Sequence, residues 1–367
     1  MSRTTPATSL PRNLALAYAL LIAYACLHPL TGWRASGLPP FDYLLAPWPR
    51  YFIVEDLLFN ILGYLPFGFL AAAALAPGRP RWRGAVLVTV LAGLLSLGLE
   101  TTQNFLPGRI PSNLDLGGNI LGALLGALPG LRWGQAWFGA NGIIHRWRAA
   151  WIIGGRTGEA GLVLLALWLL GQLSATDLLF SSGDLRKLLG IAAPLPFSAE
   201  RFIAFDTALT AASILAVGLF TRCMMHARNP LPIVLLIALG IGAKTLATAT
   251  FFEPGAPLAW LTPGAERGLA IGAALLAAAL LLPRLAQHAL AGTALLVATA
   301  LVNLMPDNPY LAYNQRLAHL SNVLNFHGLT ELVDSLWPFA ALAYLSALGL
   351  WRGEHLAAKA GARARGL

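Results

Sequence analysis

Two strings, DLLFNILGYLPFG at 56–68 and DLGGNILGALLG at 115–126, share one pattern: Asp-Leu-x-x-Asn-Ile-Leu-Gly-x-Leu. The offset is constant, so that Asp56 falls on Asp115 and Asn60 on Asn119. Each copy sets an aspartate, and a helical turn later an asparagine, at the head of a run that is otherwise apolar all round. A helix without a polar face belongs in a core or a bilayer, and the rest of the chain decides which. Of its 367 residues, 57% are hydrophobic and 11% charged, against roughly a quarter charged in soluble domains. Apolar stretches near the ~20 residues needed to cross a bilayer occur at 13–31, 57–76, 85–105, 114–131, 160–180, 202–220, 231–252, 268–283, 289–305 and 336–351. The expectation is an all-α polytopic transmembrane helical bundle of about ten spans.

The formal net charge of +9 reads as topology rather than as a nucleic-acid footprint. If the spans alternate from a cytoplasmic N-terminus, the inner segments collect Arg12, Arg79, Arg81, Arg83, Arg132, Arg146, Arg148, Arg284 and Arg352, among others. The positive-inside rule then puts both termini in the cytoplasm and the protein in a bacterial inner membrane, as a multi-pass chain with no nucleic-acid partner. Arg3 and Arg12 before an apolar run resemble a signal peptide, but the run lacks a small-x-small cleavage site and is read as a retained span. Cys26 and Cys223 fall at opposite depths, which implies no disulfide or thiol-metal framework.

Four segments follow. Residues 13–131 hold four spans arranged as two hairpins, in which both copies of the opening string run from the outer face inward, a parallel repeat. Residues 132–159 form a basic, Trp-rich connector suited to the inner headgroup layer. Residues 160–351 hold six further spans, and 352–367 a basic tail.

On a helix, positions i, i+4 and i+7 share a face. Asp56, Asn60 and Gly63 have that spacing, as do Ser96, Glu100 and Gln103, and Asp115, Asn119 and Gly122, with Gly126 extending the last. Three polar faces in a membrane have no cheaper place than against one another. The loop between the second pair adds Arg109 and Ser112 at the same level. The order Asp56, Asn60, Pro66, Gly68, then Ser96, Glu100, Gln103, Pro107, Arg109, Ser112, Asp115, Asn119 and Gly122, closely resembles the VanZ-like family of membrane proteins over residues 13–131. What this resemblance implies is an association with reduced susceptibility to the glycopeptide antibiotic teicoplanin; it supplies no reaction.

The residues themselves leave two readings open. Asp56 and Asp115 can be helix caps, Asn60 and Asn119 interhelical glue, and Gly63, Pro66, Gly68, Gly122 and Gly126 structural residues, the glycines allowing close helix approach. Alternatively, Asp56, Glu100 and Asp115 are candidate catalytic acids or bases, or oxygen ligands for a hard cation such as Mg²⁺ or Ca²⁺. Asn60, Ser96, Gln103, Arg109, Ser112 and Asn119 would then bind the ligand, with Arg109 as an anion fork. Without histidine or cysteine the cluster does not suit zinc, and no serine in it has a histidine partner for a triad. The partner expected at an outward-facing polar cluster is a membrane lipid or lipid-linked envelope molecule. A membrane enzyme and a non-catalytic membrane scaffold both fit. In the last six spans, Lys244 and Asp206 are expected to form an ion pair, and the loop 307–335, with Tyr310, Tyr313, His319 and His327, to lie on the outer face.

Overall fold

The computed structural model describes residues 10–27, 30, 32–35, 37, 39–47, 54–75, 80–106, 109–139, 142–174, 177–226, 228–252, 255–309 and 326–364. It is all-α. Among the described residues the only extended pairing is an isolated antiparallel bridge between Ile152 and Met225. Among the described residues eight helices are long and apolar enough to cross a membrane. The segment expected as an outer loop lies outside the described residues over 310–325, including Tyr310, Tyr313 and His319.

The chain divides into two compact units, residues 1–150 with 322–329, and residues 151–321 with 330–367. In the first, α1 (Leu10–Leu27), a short α2 (Asp42–Leu45), α3 (Val54–Ala73), α4 (Arg81–Gln103) and α5 (Asn113–Phe138) form a bundle, followed by α6 (Ile143–Trp151). α3 and α5, the two helices bearing the repeated string, run parallel and pack along their whole length. The reason is a column of glycines at four-residue spacing on α5. A Cβ at Gly122 would lie 2.1 Å from the Ile61 carbonyl oxygen, one at Gly126 2.0 Å from that of Leu65, and one at Gly130 2.5 Å from that of Phe69. α3 answers with Gly68, whose Cβ would sit 2.1 Å from the Ala123 oxygen. Backbone meets backbone, so dispersion and weak polar contacts do what the hydrophobic effect cannot do in lipid. Gly63 departs from the expectation of a packing glycine: nothing lies within 4 Å of a Cβ built there, because it points away from α5, and its carbonyl accepts a hydrogen bond from Tyr18. Pro66 inside α3 removes one helical N–H. Ile22, Tyr64, Phe67, Ala92, Leu99 and Ala123 make the core.

The second unit is built on α9 (Ala199–Met224), with α7 (Gly155–Gly171), a short α8 (Leu185–Leu189), α10 (Leu231–Ala247), continued by a π-helical turn over Thr248–Phe252, α11 (Pro263–Ala279), α12 (Arg284–Leu304) and α13 (Phe326–Ala364). About two thirds of α9 is buried, more than of any other span, and α11 and α12 pack on it. Trp168, Phe180, Phe220, Met224 and Trp337 fill the core. Where ten spans are expected, α7 and α11 are 17-residue helices. α7 stops at Gly171 because polar Gln172, Ser174 and Asp177 follow; α11 begins early because Thr262 caps it, its hydroxyl accepting from Ala265 N–H, ahead of a proline at its first position. The Lys244–Asp206 pair does not form. Asp206 faces α11, where it accepts from the Thr262 hydroxyl, while the Lys244 ammonium donates to the backbone oxygens of Ser174 and Asp177. The two sit on helix faces turned to different neighbours.

Gly126→Ala will destabilise the protein in detergent by about 1–3 kcal/mol, the usual cost of overpacking, whereas Gly63→Ala will be neutral or stabilising through helix propensity. Thermal unfolding of the two variants beside the wild type separates them.

Candidate functional site

The parallel α3–α5 contact sets the register of the polar residues at its N-terminal end. Asn60, one turn into α3, donates from Nδ2 to Asp115 Oδ1 at 2.8 Å, joining one copy of the repeated string to the other. The symmetric counterpart is absent. Asn119 turns to α4 and donates to Ser96 Oγ at 2.9 Å, and Asp56 is exposed. α4 brings Glu100, 4% exposed, to the start of α5, where its Oε2 accepts from the Ser112 N–H at 3.1 Å. Ser112 is also the cap of α5, its hydroxyl accepting from Leu114 N–H. Gln103 reaches α1 and donates to the Cys26 carbonyl at 2.9 Å.

Arg109 lies in the turn between α4 and α5, half-buried, with one guanidinium nitrogen 3.5 Å from the Ala25 carbonyl. Burial lowers its pKa from the ordinary guanidinium value, with Cys26 and Glu100 pulling the other way. A guanidinium stays charged under such a shift, so Arg109 is a fixed cation beside the carboxylates. Asp115 feels both Asp56 and Glu100 as like charges. The structure therefore brings together Asn60, Asp115, Glu100, Ser112 and Arg109 at one end of the bundle, sets Ser96 and Asn119 deeper, ties Gln103 to α1 and leaves Asp56 at the rim. Gly68, Gly122 and Gly126 lie below, in the α3–α5 contact. Pro107 lies outside the described residues.

Among the described residues three buried polar atoms at this end of the bundle lack a hydrogen-bond partner, Asn104 Nδ2, Asn119 Oδ1 and the Tyr64 hydroxyl. Tyr64, 3% exposed, was not among the residues singled out from the sequence. Its position did carry a signal, since it falls four residues after Asn60 on the same face of α3. Tyr43 on α2, whose hydroxyl is 3.3 Å from the Thr101 hydroxyl, carried none, because a four-residue helix has no periodicity to read. Among the described residues no three His, Cys, Asp or Glu side chains gather to hold a metal ion, and Asp56, Glu100 and Asp115 are spread over a rim, a buried face and a helix start.

Residues 15–131 match the VanZ/LLP1 family. The match covers about a third of the chain and takes in every residue of the polar cluster. No match to a curated protein or to a solved structure was found. The VanZ-like domain thus contributes three carboxylates, one guanidinium and five amide or hydroxyl side chains from α3, α4, α5 and the turn between the last two. Such a set can hold an anionic group at Arg109, donate or accept a proton at Glu100 or Asp115, and read hydroxyls through Asn60 and Ser112.

Because Asn60 and Asp115 contact each other across a helix interface, a double-mutant cycle with Asn60→Ala and Asp115→Ala should return a coupling of about 0.6 kcal/mol, the average for interhelical hydrogen bonds in membranes, and at most about 1.7 kcal/mol. Unfolding free energies of the four proteins give it; a coupling of zero would mean the bond contributes nothing to the packed helices.

Proposed function

We propose that the VanZ-like domain recognises the polar head of an envelope lipid or lipid-linked molecule at the outer side of a bacterial inner membrane, and through it influences susceptibility to glycopeptide antibiotics. The observation that carries this reading is the burial of Glu100 beside Arg109 and Asp115 at one end of an otherwise apolar bundle. Ionisable groups at membrane depth are costly, and by default they mark a functional site. The distribution of arginines supports a topology with both termini cytoplasmic, which turns that end outward. In this arrangement Arg109 takes the anionic part of the head group. Glu100 and Asp115 accept its hydroxyl or amide donors, and Asn119 Oδ1 and the Tyr64 hydroxyl offer further unfilled hydrogen-bonding positions below them.

A second reading, a non-catalytic membrane scaffold, is favoured by one observation: most polar side chains of the cluster already have partners within the protein. Under it the cluster fastens α3, α4 and α5 to one another, and a partner binds elsewhere.

Native mass spectrometry of the purified wild type beside Arg109→Ala and Asp115→Asn distinguishes the two. Recognition predicts one defined lipid species on the wild type and its loss from both variants at unchanged melting temperature. The scaffold predicts equal lipid retention in all three, with any loss confined to stability.

A further inference from the structure

The end of the first unit opposite the polar cluster is made of arginines and tryptophans. Arg81 and Arg83 open α4, Arg132 stands near the end of α5 and Arg146 lies on α6; all four are exposed. Neither 74–99 nor 116–158 contains an acid, and among the described residues none of the four guanidinium groups takes part in an ion pair. A Cβ on Gly84 would lie 2.7 Å from Leu131 Cδ2. Trp82 and Arg83 thus stand within two residues of a direct α4–α5 contact, and so do Arg132 and Trp133.

The rings are as open as the charges. Trp82, Trp133, Trp137 and Trp147 are between 41% and 64% exposed. Trp137 rests edge-on against Phe69 of α3, and the Arg83 guanidinium lies 5.1 Å over the Trp82 ring, a contact that leaves its N–H groups free to donate. On α6, Ile143 and Trp147 are four residues apart and share a face; both are exposed, with Arg146 beside them. A short helix of this kind lies in the plane of a membrane interface. α4 and α5 are long and apolar enough to span a bilayer, so this end sits where acyl chains give way to head groups, the depth that tryptophan rings favour. A preference for basic residues on the inner side accounts for the arginines, but not for the exposed rings among them. A zwitterionic head group brings its own cation and would leave the arginines unbalanced. A polyanion in water would not use rings seated at the edge of the acyl chains.

We propose that this face is a docking surface for phospholipids with a net negative head group, whose phosphates are held by Arg83, Arg132 and Arg146 and whose glycerol and upper acyl carbons lie against Trp82, Trp133 and Trp147. With both termini cytoplasmic, these are lipids of the inner leaflet. The surface is at the other end of the bundle from Arg109 and stands or falls without the polar cluster.

The full-length protein is reconstituted in nanodiscs containing phosphatidylglycerol and phosphatidylcholine in equal amounts, and the lipids it keeps on release are identified by native mass spectrometry. A basic residue near an anionic surface contributes roughly fivefold, so the wild type retains phosphatidylglycerol over phosphatidylcholine by about tenfold or more. The triple variant Arg83→Gln, Arg132→Gln, Arg146→Gln loses this preference. If the triple variant does not insert, Arg83→Gln and Arg132→Gln each lower it by roughly fivefold. The triple variant with lysine at the same positions keeps the charge and keeps the preference, and Arg109→Ala, at the other end, leaves it unchanged. Equal retention of the two lipids by the wild type, an undiminished preference in the glutamine variants, or a preference lost in Arg109→Ala overturns the proposal. So does tight binding of heparin without any lipid preference, which would mark the face for an acidic macromolecule instead.

Discussion

Where α5 meets α3 there is no room for side chains. The glycine column at 122, 126, 130 and 134 puts the two backbones in direct contact, and in lipid this closeness replaces hydrophobic burial as the source of association. The geometry of the polar cluster depends on it. With both helices parallel and in register, the asparagine of one repeated string meets the aspartate of the other, and Glu100, carried in by α4, finds the N–H at the start of α5. A looser interface would leave Asp115 facing lipid or water and Glu100 without a donor.

The symmetry of the repeat is broken by α4. An ideal two-fold would pair Asn119 with Asp56, as Asn60 is paired with Asp115. α4 intervenes: Ser96 captures Asn119, and Asp56 stays exposed at the rim. The two copies therefore do different work despite their shared string. One aspartate is fixed by an amide from the facing helix; the other is exposed to whatever approaches.

Much of this was legible in the sequence because it depends on spacing. The helical character, the glycines of α5, and the convergence of Asn60, Glu100, Ser112 and Asp115 all follow from periods of three and four residues on helices that must bury their polar faces. The illegible parts depend on which face of a helix meets which neighbour. Gly63 has the right spacing but the wrong azimuth. Lys244 and Asp206 have compatible depths, yet the backbone oxygens of the short segment after α7 capture the lysine, and a segment without regular structure leaves no pattern to read. Tyr64 is an intermediate case: its spacing from Asn60 was visible, but a tyrosine in an apolar run looks like core until its hydroxyl is found buried among polar groups.

The two polar regions differ in how far the protein itself satisfies them. In the VanZ-like domain most donors find an acceptor close by, so a ligand can enter only by replacing internal hydrogen bonds, and its gain is the difference between two nearly equal sets of contacts. Such a site discriminates by shape and by the positions left unfilled, Asn119 Oδ1 and the Tyr64 hydroxyl. In the second unit Lys187 pairs with Asp177 and Lys244 is held by the backbone oxygens of Ser174 and Asp177, while Arg186 Nε lies buried without an acceptor, so the position left unfilled there belongs to a donor.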